Sequence, residues 1–462
     1  MSAIILSAIW GVVMMFGGVF FKKAATPKYW AITGLIIILT VNILEFLGFS
    51  FFNIDTKGLL QFDNFGLHFN TIVFFCTIIY FLLNGRDIEK VGKHVSEYFA
   101  LIFFVLCGVA IASSYKSLLM LFLGIEIMSI PLYILTGSDK MNLKSNEASL
   151  KYFLMGAFST GIMLMGIAFL YGGNELGSFN IDTIKLGMGS LPVMIAIGLV
   201  LLIVSMSFKV SAVPFHFWTP DVYDGAPTVF TSFMATIVKV AGFIAFIRLF
   251  QNALGLMQAQ WQMLITIITA ATLIVGNLTA VFQQSVKRML AYSSIAQAGF
   301  MLLALFALNA TAKEGLILYS VAYSLASIGL FAILVRMNDY TIEGFNGLGK
   351  THPVLAFTAT IFLLSLTGIP LTAGFNAKLY MLLAALKNGH HFWLVILAVL
   401  CAAISAYYYF KIIQAMYFKE PAENVDHQMD IPPSFKYLLI FTAAIIILLG
   451  IFPGLVIDWL YY

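Results

Sequence analysis

Long apolar stretches alternate with short polar connections along almost the whole chain. A helix needs about 20 mostly apolar residues to cross the hydrocarbon core of a bilayer. Windows of that kind predict fourteen spans, at residues 3–21, 29–52, 65–84, 97–114, 118–136, 148–171, 191–216, 228–250, 261–282, 289–308, 314–335, 353–386, 392–418 and 435–461. We therefore predict an all-α polytopic membrane protein with about 14 transmembrane helices.

The composition supports a membrane location. Of the 462 residues 61% are hydrophobic and only 10% are charged, and the mean hydropathy is +0.97, whereas a soluble domain carries about 25% charged residues. So few charges exclude a soluble enzyme, a nucleic-acid-binding domain and a disordered chain. The three cysteines stand far apart in apolar stretches, which predicts neither a disulfide framework nor a metal or iron–sulfur site.

The distribution of basic residues predicts the orientation. When the N-terminus is placed outside and the spans alternate, fourteen of the 25 Lys and Arg residues fall on the inner side and six on the outer side. Because basic residues concentrate on the cytoplasmic side of membrane proteins, we predict that both termini lie outside. Lys22 and Lys23 follow the first span instead of preceding it, so this span is predicted to be a retained helix and not a signal peptide.

Ionisable residues inside the predicted spans are the candidate functional groups. They are Glu45, Glu126, Lys151, Lys209, Lys239, Lys378 and Lys411, and His216 lies at the inner end of the seventh span. A charge at the bilayer centre costs about 3 kcal/mol, and such residues face the bundle interior and mark ion or proton paths. Structural ion pairing between helices is the alternative for any single residue. The central lysines outnumber the central glutamate, so they cannot all be paired. A lysine, unlike an arginine, can also release its proton.

Two spans are predicted to be broken. In the seventh, Pro214 comes five residues after Lys209, and in the twelfth Gly368 and Pro370 precede Lys378. Proline removes a backbone donor and kinks a helix. Discontinuous helices at matching positions of two halves indicate the ion site of a transporter, whereas ordinary proline kinks are the alternative.

The spacing of the two breaks predicts an internal repeat. The prolines lie 156 residues apart, which is the length of about five spans with their loops. Spans four to eight are therefore predicted to recur as spans nine to thirteen, and the odd number forces the two copies to be inverted. The predicted units are 1–96 with three helices, 97–250 and 251–420 with the two repeats, and 421–462 with the last helix.

Five motifs resemble the antiporter-like subunits of respiratory complex I. They are residues 123–133 (LGIEIMSIPLY), 147–153 (EASLKYF), 214–227 (PFHFWTPDVYDGAP), 287–295 (KRMLAYSSI) and 368–378 (GIPLTAGFNAK). The resemblance covers residues 97 to 418 in order. The Asp-Val-Tyr sequence at residues 221–223 resembles that of the subunit type nearest the quinone-binding module. It differs from the sequence usual at this position in multisubunit cation/proton antiporters.

The resemblance implies a role for each buried charge. Glu126 corresponds to the fifth-helix glutamate that pairs with and modulates the lysine of the broken seventh helix, here Lys209. Lys239 corresponds to the central lysine that passes protons toward the second half, and Lys378 to the lysine at the exit branch. Lys151 matches a sixth-helix lysine of this subunit type.

Three further residues keep open roles. His216 lies in the family motif. Its position fits a helix-capping or structural role as well as it fits a role in proton entry. Lys411 is either structural or tunes Lys378. Glu45 is outside the family motifs, and pairing with a neighbouring helix or subunit is the first expectation.

The resemblance implies a proton-translocating membrane-arm subunit of an NADH–quinone oxidoreductase in a bacterial cell inner membrane. Its partners would be the lipid bilayer and other membrane-arm subunits, both antiporter-like and small helical ones, with no nucleic acid. NADH, FMN, iron–sulfur clusters and quinone are expected in partner subunits, and no cofactor or metal in this chain. The alternatives are a subunit of a multisubunit cation/proton antiporter without a redox partner, and a free-standing solute transporter.

Overall fold

The chain is mainly helical in the part that a computed structural model describes, namely residues 1–20, 26–52, 54–174, 176–183, 192–252, 254–255, 258–389, 391–420 and 431–461. The α-helices are α1 Ser2–Phe20, α2 Thr26–Phe46, α3 Asn64–Ile88, α4 Val95–Ser114, α5 Leu118–Thr136, α6 Leu143–Gly173, α7 Val193–Lys209, α8 Trp218–Gly225, α9 Thr228–Phe233, α10 Lys239–Asn252, α11 Gln258–Val281, α12 Val286–Ala307, α13 Ala310–Leu334, α14 Leu348–Thr351, α15 Pro353–Thr367, α16 Ala373–Lys387, α17 Phe392–Phe418, α18 Pro433–Ile451 and α19 Gly454–Ile457. A π-helical stretch, Met234–Val238, joins α9 to α10. Within the described ranges, β pairing is limited to isolated bridges.

The predicted all-α polytopic architecture is confirmed. Twelve helices of the described residues are long and apolar enough to cross a membrane. Two shorter apolar helices, α7 and α15, are the first parts of the seventh and twelfth predicted spans. Both of those spans are interrupted, as predicted: α7 ends at Lys209, with the short helix α8 starting only at Trp218, beyond the predicted end of the span at residue 216, and α15 ends at Thr367 before α16.

Some predicted boundaries were too wide. The second span was predicted to reach residue 52, but α2 ends at Phe46, and Gly48 follows with a φ of +95°. The last span was predicted to reach residue 461, but α18 ends at Ile451, just before Pro453. Apolar residues continue past both ends, so a hydropathy window extends further than the helix. The boundaries at residues 21, 191 and 421 and the basic residues Lys22, Lys23 and Lys185 lie outside the described residues.

The helices differ strongly in how deeply they are enclosed. The whole of the most apolar 18-residue stretch of α13 is buried, and so is 94% of that of α12 and of Thr228–Gln251, against 28% for α1 and α2. α13 packs on α3, α15 and α16, while α12 packs on α11 and α16. The centre of the bundle is therefore formed by α9–α10, α12 and α13. The division into four units and the inverted relation of the two repeats stay predictions.

Buried and partly buried ion pairs join distant parts of the chain. Arg336, just after α13, donates to Asp87 at the end of α3 over 3.1 Å, and their side chains are 10% and 1% exposed. Arg248 on α10 binds both carboxylate oxygens of Asp63, which also caps α3. The side chain of Glu45 pairs with the N-terminal ammonium of Met1 over 2.9 Å. The expectation that Glu45 pairs with a neighbouring helix is met within this chain.

The Arg336–Asp87 pair provides a stability prediction. We expect Arg336→Met to lower the free energy of unfolding by about 3 kcal/mol, because it leaves the buried Asp87 carboxylate without its buried partner. Lys90→Met is the matched control: Lys90 binds the same carboxylate over 2.9 Å but its side chain is 71% exposed, and an exposed pair contributes at most about 1 kcal/mol. Thermal unfolding of the purified protein in detergent measures both. Equal losses in the two variants would contradict this ranking.

Candidate functional site: a row of buried lysines

At the first break, the side chain of Lys209 is not used to cap the end of α7. The last carbonyls of α7 accept hydrogen bonds from backbone N–H groups of the turn that follows, with Val210 N to Met206 O at 3.1 Å and Ala212 N to Ser207 O at 2.8 Å. The helix end therefore needs no donor from the lysine.

The Lys209 ammonium reaches across to α5. It donates to the hydroxyl of Ser129 over 3.0 Å, and that hydroxyl donates in turn to the Ile125 carbonyl over 2.6 Å. Glu126 lies one helical turn from Ser129 and interacts electrostatically with Lys209, but the two do not meet within ion-pair distance. One carboxylate oxygen of Glu126 is buried without a hydrogen-bond partner. The structure thus attaches Lys209 to α5 at Ser129, one turn from Glu126, and Ser129 was not among the predicted site residues.

Lys239 lies at the centre of the bundle. It is the first residue of α10, directly after the π-helical stretch Met234–Val238, and π-helical turns are frequent at functional sites. Its ammonium donates to the carbonyl and the hydroxyl of Ser294 on α12, at 3.1 Å and 2.8 Å, and lies 5.6 Å from the centre of the Tyr223 ring. Serine and tyrosine are therefore its polar neighbours, and it has no carboxylate partner among the described residues.

Tyr323 on α13 connects the surroundings of Lys239 with those of Lys378. Its hydroxyl donates to the Ala235 carbonyl over 2.8 Å and interacts with Ser294. The same residue lines a small internal cavity together with Gln297, Tyr319 and Lys378. The volume of this cavity is about 10 Å³, which is about the volume that one water molecule needs.

The second break is arranged differently from the first. Gly368 adopts a φ of +87°, and the N–H groups of Gly368 and Ile369 turn back to the Leu364 carbonyl. Pro370 lacks the N–H that would have bonded to Leu366 in a continuous helix. The carbonyls of Leu366 and Thr367 are instead bound by the Lys378 ammonium, at 2.8 Å and 2.9 Å. Lys378 therefore caps the end of α15.

Lys151 lies apart from this row. It donates to Glu147 over 2.8 Å and to Asp221 over 2.9 Å, its side chain is 42% exposed, and Arg288 also reaches Asp221, at 3.2 Å. α6 has 31 residues and is about 46 Å long, longer than the roughly 30 Å hydrocarbon core. Because α6 begins at Leu143 and not at residue 148, Lys151 is two turns inside the helix and close to a polar pocket.

Asp221 lies in the connection between the seventh and eighth predicted spans. Burial acts to raise its pKa, but the hydrogen bonds and charges of Lys151 and Arg288 outweigh burial and place that pKa below its usual value. The cluster is therefore charged and paired over the whole physiological pH range.

The remaining predicted residues make no direct contact with the row. His216 lies in the first break, where its ring is 4.6 Å from that of Phe217 and its Nδ1 is buried without a partner. Lys411 is half-buried on α17 and has no ion pair or hydrogen bond among the described residues. Cys76, Cys107 and Cys401 are buried and unpaired. In the described ranges, no group of three His, Cys, Asp or Glu side chains could hold a metal ion.

The fold and this row of lysines define a multi-pass helical bundle with two interrupted helices. The model of one protein family, NADH:quinone oxidoreductase/Mrp antiporter, transmembrane, matches residues 115–405. A relative from Cytophaga hutchinsonii, named NADH-quinone oxidoreductase subunit N, is 39% identical over 468 residues and is covered to 99%, as is this chain. A relative of the same name from Flavobacterium johnsoniae is 40% identical, with 95% of each chain covered. The chain therefore belongs to the NADH:quinone oxidoreductase/Mrp antiporter membrane-subunit family, and within it to the subunit N group.

Solved structures share the fold over nearly the whole chain. A chain of respiratory complex I from Thermus thermophilus, in a structure with bound aureothin, matches with a TM-score of 0.83 at 30% identity, and 99% of both chains is covered. A chain of the Mrp complex from Dietzia matches with a TM-score of 0.81 at 19% identity, over 99% of this chain and 96% of that one. The second match shows a common fold alone.

The Asp221 cluster provides a pH prediction. A carboxyl group whose pKa is lowered in the folded protein adds stability above its unfolded pKa, and this stability is lost as the pH falls through the folded value. We expect Asp221→Asn to lower the thermal unfolding midpoint at about pH 7, and the difference from the parent to shrink as the pH falls below about 4. Glu420→Gln, which removes an exposed partner of Lys350, is the control with little effect at any pH. A constant Asp221→Asn difference down to the lowest pH would contradict the assignment.

Proposed function

We propose that this chain is a proton-translocating membrane-arm subunit of an NADH–quinone oxidoreductase. It would couple NADH oxidation and quinone reduction, carried out in partner subunits, to proton export. The observation that carries the proposal is the 39% identity over 99% of the chain with a protein named NADH-quinone oxidoreductase subunit N. The row of buried lysines supports it, because charges at membrane depth mark ion and proton paths.

The proton path would begin at Glu126 and Lys209. The Glu126 charge acts on Lys209, whose ammonium is held on the same helix by the Ser129 hydroxyl. An opposite charge nearby favours the protonated ammonium, whereas burial favours the neutral amine. A movement that separates Glu126 from Lys209 would therefore release a proton from Lys209, and a movement that brings them together would hold it.

Lys239 and Lys378 would carry the proton onward. Neither has a carboxylate partner among the described residues, and both ammonium groups are held by neutral oxygen atoms. Because neutral oxygens stabilise an ammonium less than a carboxylate does, these two lysines can exchange protons when a neighbouring charge changes. Tyr323 and the cavity beside it supply polar groups between the two sites.

Lys151 and His216 would have supporting roles. The pocket that contains Lys151, Asp221 and Arg288 is open and polar, so it could supply protons from the inner surface. The short helix α8 carries Asp221 toward this pocket and Tyr223 toward Lys239, which links the surface cluster to the row. The buried, unpartnered Nδ1 of His216 is compatible with the same task.

The location and the partners follow from the same proposal. The chain would lie in a bacterial cell inner membrane with both termini on the periplasmic side, next to other antiporter-like and small helical subunits. NADH, FMN, iron–sulfur clusters and quinone would be bound by partner subunits. The residues of this chain offer buried lysines and neutral hydroxyls, which suit proton transfer.

A subunit of a cation/proton antiporter without a redox partner is the weaker alternative. The sequence identity to the Mrp complex chain is 19%, whereas the sequence identity to the relatives named subunit N is 39% and 40%. The motif Asp221-Val222-Tyr223 also favours the subunit N type. Copurification with a flavin-containing partner set supports the proposal, and sodium-dependent transport without any redox partner would support the alternative.

The role of Lys209 provides the direct test. We expect Lys209→Met in the intact complex to lower NADH-driven proton translocation by at least about tenfold, because the partly buried proton carrier on which the Glu126 charge acts is removed. Lys350→Met is the control, since Lys350 is exposed and pairs with Glu420. Proton uptake into inverted membrane vesicles, measured with a pH-sensitive dye, gives the rates. Normal pumping by Lys209→Met would refute the assigned role.

Lys151→Met should have a smaller effect than Lys209→Met in the same vesicles. The Lys151 side chain is 42% exposed and lies among other charges that can supply protons, whereas the Lys209 ammonium is held by the neutral Ser129 hydroxyl. A loss of translocation as large as that of Lys209→Met would place Lys151 in the row itself.

A further inference from the structure

The end of α15 uses two different side chains as hydrogen-bond donors to one carbonyl. The Leu366 oxygen accepts from the Lys378 ammonium at 2.8 Å and from the Gln297 amide at 2.9 Å. Among the described residues, the Thr367 oxygen accepts only from Lys378, at 2.9 Å. Backbone N–H groups in the described part of the chain serve Leu364 and Ser365 but neither of these two carbonyls.

The orientation of Gln297 is fixed by its other partners. Its Nε2 also donates to the Tyr409 hydroxyl over 3.2 Å, and its Oε1 accepts from the Tyr319 hydroxyl. A flipped amide would point an acceptor oxygen at the Leu366 carbonyl, which is itself an acceptor. The Gln297 side chain is buried, so water cannot replace these contacts at low cost.

A proton carrier at this position meets a specific difficulty. When Lys378 gives up its proton it becomes a neutral amine, and a neutral donor is much weaker than an ammonium. The carbonyls that it caps would then be buried without a strong donor, which costs free energy. This cost opposes proton release, and it depends on how many carbonyls rely on Lys378 alone.

We propose that Gln297 is a positioning residue, a second and uncharged cap of α15 that holds the Leu366 carbonyl when Lys378 releases its proton. The inference rests on the proposed function of Lys378 as a proton carrier. With Gln297 in place, proton release weakens the bond to Thr367 but leaves Leu366 with a donor. Without it, both carbonyls depend on the lysine, and release becomes harder.

The first break supports this reading by contrast. There the carbonyls of Met206, Ser207 and Phe208 all accept from backbone N–H groups, and the ammonium of Lys209 points to Ser129. The charge of Lys209 can change without affecting the helix end. The Trp218 indole N–H adds a second donor to the Phe208 carbonyl over 3.2 Å, but each of these three carbonyls also has a backbone donor. A side-chain cap such as Gln297 therefore has a task at the second break that backbone N–H groups perform at the first.

The test compares the pH dependence of proton translocation in the intact complex. We expect Gln297→Met to lower translocation about tenfold at about pH 7, and the ratio of variant to parent to rise toward one as the pH is raised by about one to two units. Alkaline conditions favour release from a lysine that is held too tightly. The titratable side chains facing Lys378 are Tyr319 and Tyr323 on α13, with Tyr409 on α17 behind Gln297, and no charged side chain of the described residues lies beside it.

Asn388→Leu is the matched control. Asn388, just after α16, donates its side-chain amide to the Phe306 carbonyl over 2.9 Å, so its loss removes a comparable amide-to-carbonyl hydrogen bond from the same half of the protein without touching the break or the partners of Gln297. We expect any loss in this variant to be independent of pH. Assembly of each variant is checked by NADH oxidation with an artificial electron acceptor.

Each outcome decides between separate claims. If Lys378→Met pumps normally, the proposed function of the row fails. If Lys378→Met is inactive but the Gln297→Met ratio is flat with pH or equals one, only the role of Gln297 fails. If Gln297→Met does not assemble, Tyr319→Phe replaces it, because it removes the hydroxyl that orients Gln297. A smaller rise of the ratio in the same direction supports the role of Gln297, and a flat ratio overturns it.

Discussion

A backbone carbonyl at membrane depth must find a donor within the protein, and this constraint shapes the whole site. An interrupted helix exposes such carbonyls in the middle of the bundle. The first break satisfies them with N–H groups of its own turn, which leaves Lys209 free to face α5. The second uses Lys378 and Gln297, because Pro370 cannot donate. Two lysines next to similar breaks therefore have different tasks.

The enclosure of the central helices follows from the same constraint. Lys239 and Lys378 carry charges that lipid cannot solvate, so the helices around them must exclude lipid completely. The most apolar stretch of α13 is buried throughout, and it contributes Tyr319 and Tyr323 to the polar interior. Hydroxyl and carbonyl oxygens provide enough stabilisation to keep the lysines in the bundle without fixing their charge as a carboxylate would.

Much of the fold could be predicted from the sequence because spans are long and their ends are marked. α5 was predicted with its observed bounds, since Ser117 caps its start and Gly137 follows its end. The breaks were predicted because proline and glycine stand next to buried lysines. Ser129, Ser294, Tyr323 and Gln297 were not predicted: neutral polar residues are common in membrane helices, and their meaning depends on which helices face each other. For Ser129, its position three residues after Glu126 was the available signal.

The pairing of the Met1 ammonium with Glu45 has a practical consequence. Both groups are mostly buried, and the backbone N–H of Ser2 also donates to the same carboxylate at 3.2 Å. Any residue fused in front of Met1 converts this ammonium into a neutral amide and leaves Glu45 without its cation, at the contact where α1 and α2 meet. The charge of the Met1 ammonium therefore contributes to holding the start of α1 against the end of α2.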